Sequence, residues 1–151
     1  MGTSPLHPNI LLVEDCQEDY VAFSRCIDRT GLKHTLYRSR DGDEALEFLF
    51  RHGRHADPLT SPRPSLILLD LNLPGTDGRE VLARVKQDER LRSIPVIVLT
   101  SSTNPRDVRE CYRRGANGYQ IKAVDYERFR QDVLNTMNYW LGTAVLPDPA
   151  D

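Results

Sequence analysis

The chain has 151 residues, 39% of them apolar and 28% charged, with a formal charge of −2; this fits one globular unit able to bury about two-thirds of the surface its unfolded form exposes. That charge gives no overall electrostatic drive toward nucleic acid. No apolar run approaches the ~20 residues of a membrane span, and the first residues lack the apolar core of a signal peptide, so a cytoplasmic protein with neither nucleic-acid nor membrane partner is expected.

Residues 1–8 contain two prolines and a glycine and read as a loose leader. Ile10, Leu11, Leu12 and Val13 are branched enough for a strand buried on both faces, and the run ends in Glu14 and Asp15. Between 17 and 30, Tyr20, Phe23 and Ile27, with Val21 and Cys26 beside them, follow helical spacing, and Gly31 supplies a stop. Residues 34–39 alternate around Leu36 as a strand with one less buried face. Asp41 then caps a helix carrying Ala45, Leu46, Phe48 and Leu49, with Gly53 as its terminator. Residues 53–64 hold Pro58, Pro62 and Pro64 among polar side chains and read as a long exposed loop.

A second wholly apolar run, Leu66, Ile67, Leu68 and Leu69, stops at Asp70, and turn residues Pro74, Gly75, Asp77 and Gly78 follow. Val81, Leu82 and Val85 predict a helix over 78–88. Residues 96–99 make a third buried strand, ending at Thr100, Ser101 and Ser102. Asn104 and Pro105 form an N-cap and first-turn pair for a helix that Gly115 closes. A shorter strand, 118–121, leads to Lys122, and Phe129, Val133, Leu134, Met137 and Trp140 mark one stripe of a helix over 126–140.

Five strands alternating with five helices imply a parallel sheet covered on both faces, whose right-handed crossovers bring every carboxyl end to one edge. Open α/β sheets bind ligands at that edge. Four of the ends carry Glu14 and Asp15, Asp70, Thr100, and Lys122. Crowded carboxylates repel by on the order of 1 kcal/mol per pair in water and several times more in a shielded cleft. A divalent cation reverses the sign, and this density of hard oxygens suits Mg²⁺. Asp15 and Asp70 are the candidate direct ligands, with the backbone carbonyl of Asn72 as a third and Glu14 acting through water. Lys122 can neutralise phosphoryl charge, while Thr100 and Ser101 offer short donors, so the set suits phosphoryl transfer with Asp70 as the acceptor.

At this point the chain resembles the receiver domains of two-component response regulators. The motifs are Glu14 and Asp15 after ILLV, Asp70 in LILLDLNLPGTDG, Thr100 in VIVLTSS and Lys122 in GYQIK. The resemblance implies a flavodoxin-like (βα)5 sheet of order 2-1-3-4-5 over residues 9–141, with residues 142–151 as a C-terminal tail. It also implies Mg²⁺ dependence, phosphorylation of Asp70 by a histidine kinase, movement of Thr100 and Tyr119 as switch residues, and a phosphoryl lifetime set by Asn72 and Ser102. The loop over 53–64, the phrase DLNLPGTDGREVL and the ending NYWLGTAVLP look like the stand-alone regulators paired with bacterial phytochrome kinases. That likeness implies a homodimer through the fourth helix, fifth strand, fifth helix and the tail. With the chain ending shortly after Pro147, no attached DNA-binding module is expected. Ala123 departs from the family, where a proline usually follows the lysine in a cis peptide. A cis bond before alanine costs ~2.5 to 4 kcal/mol, so a trans bond, or a strained cis bond held by packing, is expected.

Each residue also has a plainer use. Asp15 can cap a helix, Thr100 can end a strand, Lys122 can be a solvated charge and Tyr119 can be packing. Cys16, Cys26 and Cys111, odd in number and far apart, suit reduced thiols. The four histidines show no metal-ligand spacing, and Arg106, Arg109, Arg113 and Arg114 read as a solvated helix face. Tyr139, Trp140, Leu141, Val145 and Leu146 could fray, pack back on the domain or form a dimer surface. A haloacid-dehalogenase-like phosphatase would also use Asp70 as a nucleophile, but its usual second aspartate is here Asn72, so a phosphoacceptor rather than a turnover enzyme is expected. A flavin carrier is disfavoured by the acidic first loop, EDCQED, which would repel a phosphate.

Overall fold

In the computed structural model, which describes residues 7–148, the apolar runs become five parallel strands: β1 (Asn9–Val13), β2 (Thr35–Ser39), β3 (Leu66–Leu69), β4 (Val96–Thr100) and β5 (Gly118–Ile121). Their order is 2-1-3-4-5. Between and after them run α1 (Gln17–Arg29), α2 (Gly42–Phe50), α3 (Gly78–Gln87), α4 (Pro105–Arg113) and α5 (Tyr126–Met137). This is the flavodoxin-like arrangement. Leader residues 1–6 and tail residues 149–151 lie outside the described residues. No helix among the described residues is long and apolar enough to cross a membrane.

Alternation along the strands divides the core in two. Ile10, Leu12, Leu66, Leu68, Ile97 and Leu99 pack against Phe23, Cys26, Ile27, Phe129, Val133 and Met137 of α1 and α5. Leu11, Val13, Ile67, Leu69, Val96 and Val98 face α2, α3 and α4 through Leu46, Leu49, Val81, Leu82, Val85 and Cys111. Central strands β1, β3 and β4 are thus apolar throughout residues 10–13, 66–69 and 96–99 because both sheet faces are covered. The helices begin where short polar side chains cap them: Asp41, Asp77, Asn104 and Asp125 each accept a bond from a first-turn backbone N–H. The three cysteines are free thiols.

Three local expectations are corrected. α2 ends at Arg51 rather than Gly53. Arg51 takes the left-handed conformation, with φ 57°, and the following His52 N–H returns to the Glu47 carbonyl at 3.1 Å; Gly53, also at positive φ, opens a 3₁₀ turn, Gly53–His55. Secondly, the loop over 53–64 is not exposed throughout. Ser61, Arg63 and Pro64 are buried, the Arg63 guanidinium donates to the Leu49 carbonyl and Arg51 Nε donates to the Ser61 carbonyl at 3.1 Å. The Arg63 side chain satisfies a carbonyl that the end of α2 leaves open, and Arg51 in turn ties the loop backbone to that helix end, which apolar content does not register. Thirdly, the last helix is α-helical to Met137 and then widens into a π-helical segment, Asn138–Thr143. The widening lets Trp140, Leu141 and Leu146 pack on the α1 and α5 side of the core, while Tyr139 and Val145 stay exposed.

Candidate functional site

Register brings the acids together. Val13 lies opposite Leu69, and the Asp70 N–H donates to the Val13 carbonyl at 3.1 Å, so Glu14 and Asp70 leave neighbouring strands side by side. Both continue the alternate series that faces α1 and α5, whereas Thr100 continues the series of Val96 and Val98 on the opposite face. Thr100 is fully buried, and its carbonyl accepts from the Lys122 N–H at 2.7 Å. That bond, one step beyond β5, starts Lys122 toward the acids.

The Lys122 ammonium lies 2.6 Å from Glu14 Oε1, 2.9 Å from Asp19 Oδ2 and 3.1 Å from Asp70 Oδ2. The Lys122–Ala123 peptide is trans, as are all described peptide bonds. Of the two outcomes left open by the sequence, the unstrained bond is found, and the ammonium still reaches Asp70.

Burial controls the charges. Glu14 is 2% exposed, and desolvation raises its pKa to about 7, against the lowering effect of the Lys122 hydrogen bond and charge; the Asp70 charge raises it further. Desolvation works to lower the Lys122 pKa, but its bonds to Glu14 and Asp19 and the charges of Glu14 and Asp70 overcome this and hold it above the ordinary lysine range. The ammonium is therefore a fixed positive charge.

Glu14, Asp15 and Asp70 each bring a carboxylate oxygen within 4.8 Å of the others. This set of hard oxygens fits a divalent cation. Glu14 belongs to this cluster and also contacts Lys122. The Asn72 N–H donates to Asp70 Oδ1 at 3.3 Å, orienting the acid.

The remaining residues form a second layer along β4 and α4. The Ser102 N–H donates to Thr100 Oγ1 at 3.4 Å, and the Tyr119 hydroxyl donates to the Ser102 carbonyl at 3.0 Å, turning the ring inward. Ser102 Oγ donates to Asp107 Oδ2 at 2.6 Å, and Asp107 pairs with Arg79 of α3 at 3.0 Å. Ser101 is exposed. His7, His34 and His55 bond to Thr35 Oγ1, the Leu32 carbonyl and Glu44, away from the acids. Arg113 and Arg114 pair with Glu110 on the solvated face of α4.

Sequence reasoning missed Asp19 and the Arg79–Asp107–Ser102 chain. Asp19 had a signal: it stands four residues before Phe23 and seven before Cys26, at the head of the buried stripe of α1. An acid there must face whatever α1 covers.

The approach of α3 to β3 holds Asp70 in place. A Cβ on Gly78 would lie 2.2 Å from the Asp70 carbonyl oxygen and 2.6 Å from Leu71 Cα, so only a residue without a side chain allows this contact. Gly78→Ala is expected to destabilise the fold by about 1–3 kcal/mol, seen as a lower urea midpoint with an unchanged denaturant slope.

A family model, the response regulator receiver domain, matches residues 10–134. The chain belongs to this family. This receiver domain is 43% identical over 138 residues to the response regulator Rcp1 of Synechocystis sp., covering 91% of the chain and 92% of that relative. The Mn²⁺-bound form of Rcp1 superposes with a TM-score of 0.89 at 42% identity, covering 93% of this chain and 99% of that one. The phosphorylated cyanobacterial phytochrome response regulator RcpA superposes with a TM-score of 0.88 at 40% identity, covering 94% and 99%. A structural relative of this receiver domain is thus known in a divalent-metal-bound form.

Proposed function

We propose that this protein is a single-domain response regulator whose Asp70 takes a phosphoryl group from a sensor histidine kinase, of the phytochrome type given its likeness to RcpA. The observation that carries this is the meeting of Asp70, Glu14, Asp15 and the Lys122 ammonium at one sheet edge. Residues 9–141 act as the receiver unit, with 1–8 and 142–151 as flanks. Glu14, Asp15 and Asp70, with the Asn72 carbonyl, would hold Mg²⁺, which when bound supplies positive charge that offsets the clustered acids and draws in a phosphoryl group.

The Asp70 carboxylate oxygen forms the new bond to phosphorus as the phosphorus–nitrogen bond to the kinase histidine breaks. The departing imidazole nitrogen keeps the bonding pair. Lys122 donates to the phosphoryl oxygens as their charge becomes exposed, and Thr100, one strand away, supplies a hydroxyl donor when its side chain turns toward them. The Thr100 movement would pull on Ser102, whose carbonyl holds the Tyr119 hydroxyl, so Tyr119 reports the change to the face of α4, β5 and α5. There, and through the tail carrying exposed Tyr139 and Val145, a second copy would pair. Phosphorylation thus alters protein contacts in the cytoplasm rather than contacts to nucleic acid or membrane.

Hydrolysis of the acyl phosphate is slow by design of the residues around it. Two positions beyond Asp70 stands Asn72, whose amide cannot cycle a proton as a second aspartate would. Asn72 and Ser102 flank the route a water would take and set the phosphoryl lifetime. The protein is in this reading a phosphoacceptor, not a turnover phosphatase. Incubation with phosphoramidate and Mg²⁺ followed by hydroxylamine tests the reading: an acyl phosphate forms and is cleaved by hydroxylamine, whereas a hydroxylamine-stable phosphoester, or sustained hydrolysis of a phosphate ester at many turnovers per second, would contradict it.

A further inference from the structure

Lys122 leaves β5 on a short connection, residues 122–125, that ends at the Asp125 cap of α5. The backbone there is fixed by the Lys122 N–H bond to the Thr100 carbonyl and by Ala123, which packs on the α1 and α5 core, with Val124 exposed beyond it; neither contact fixes the far end of the long lysine side chain. The position of the ammonium is therefore set by what it bonds at its far end. An ammonium has three N–H donors, and three carboxylates take them, at 2.6, 2.9 and 3.1 Å. Two of these partners, Glu14 and Asp70, have side chains 3% and 8% exposed and form the floor of the site. The third, Asp19, is 38% exposed and closes the ammonium from the solvent side.

We infer that Asp19 is a positioning residue for phosphoryl transfer, a fixed outer anchor that holds the Lys122 ammonium over Asp70 before and after the acceptor is modified. The inference rests on Asp70 being the acceptor. Once Asp70 is esterified to phosphorus, the donor it held passes to a phosphoryl oxygen, while Glu14 and Asp19 keep the other two. Without Asp19 the ammonium has one remaining permanent partner and can swing on its flexible stem toward solvent. Asp19 comes from the first turn of α1, so the same contact ties the start of that helix to the end of β5. Its exposure means that truncation opens no cavity in the core.

The test is a double-mutant cycle on phosphorylation by phosphoramidate with saturating Mg²⁺, joined to nitrogen-15 NMR of the lysine ammonium groups. Asp19→Ala is expected to slow phosphorylation about tenfold, the worth of one hydrogen bond between charged groups, through the maximal rate rather than the donor concentration needed for half of it. In a Lys122→Ala background the same change is expected to slow it less than about twofold, because Asp19 acts through Lys122. Asp19→Asn, which keeps an acceptor oxygen without the charge, falls between. The Lys122 ammonium signal, sheltered from solvent exchange in the unmodified protein, broadens in Asp19→Ala before any phosphodonor is added. Equal slowing with and without Lys122, or an unchanged ammonium signal, would reduce Asp19 to an ordinary helix-end acid and overturn the inference. An Asp19→Ala protein that is phosphorylated as fast as the unmodified one would overturn it too, leaving the acceptor role intact. Failure of the unmodified protein itself to gain a phosphoryl group would overturn the acceptor role and the inference with it.

Discussion

Lys122→Ala is expected to slow phosphoryl acceptance by about 10²-fold, the usual loss when one donor to a developing oxyanion is removed from a shielded site. The ammonium is the one cation within hydrogen-bond reach of Asp70 among the described residues, and its side chain is 12% exposed, so water replaces it poorly. Lys122→Arg is not expected to restore the rate. A planar guanidinium cannot direct its donors to three carboxylates arranged around one nitrogen. Single-turnover phosphorylation at saturating donor measures the effect, and a loss of less than threefold would show that Lys122 is merely a charge balance for the folded state.

In protein stripped of divalent metal, stability is expected to fall as pH rises from about 5 to about 8. Burial raises the Glu14 pKa from 4.5 to about 7, so the folded protein binds more protons than the unfolded chain across that window. Unfolding free energy falls with pH wherever the folded state holds the extra proton. At about 1.4 kcal/mol per unit, the loss reaches at most about 3 kcal/mol. The raised Lys122 pKa stabilises the fold fully below the ordinary lysine pKa and loses that contribution only as pH rises beyond it, so it contributes no slope near neutrality. Glu14→Gln, which keeps an oxygen for Lys122 but cannot ionise, is expected to flatten the profile and to be more stable than the unmodified protein at pH 8 in chelator. Urea unfolding at pH 5, 6, 7 and 8 measures this. Added Mg²⁺ is expected to reverse the ranking at pH 8, because a ligand bound only by the folded state stabilises it and Glu14→Gln weakens the site.

The elements were legible because the strong signals agreed. The runs at Ile10, Leu66 and Val96 were uniformly apolar, and only a sheet covered on both faces uses such strands. Asp41 and Asn104 stood where caps were needed. The acids and Lys122 were legible as a group because parallel topology sends every strand end to one edge, which needs no side-chain coordinates. What escaped reading was set by contacts distant in sequence. Arg63 looked like a loop charge because nothing local shows that the Leu49 carbonyl awaits a donor. Arg51 took the left-handed position two residues before the glycine that seemed made for it. Asp19 looked like one more acid in an acidic first turn, because its partner Lys122 lies 103 residues away. The tail offered several uses, and packing chose the inward one for Trp140 and Leu146 by widening the last helix, which periodicity does not announce.

The most direct measurement is the intact mass of the protein after incubation with a small phosphodonor and Mg²⁺, made in parallel on Asp70→Asn. Asparagine keeps the shape of the Asp70 side chain but removes the nucleophilic carboxylate at the meeting point of β1, β3 and Lys122. The unmodified protein is expected to gain the mass of one phosphoryl group, to lose the gain when the donor is removed, and to show none in Asp70→Asn. No gain in the unmodified protein, or a gain that persists in Asp70→Asn, would contradict the assignment of Asp70 as the acceptor.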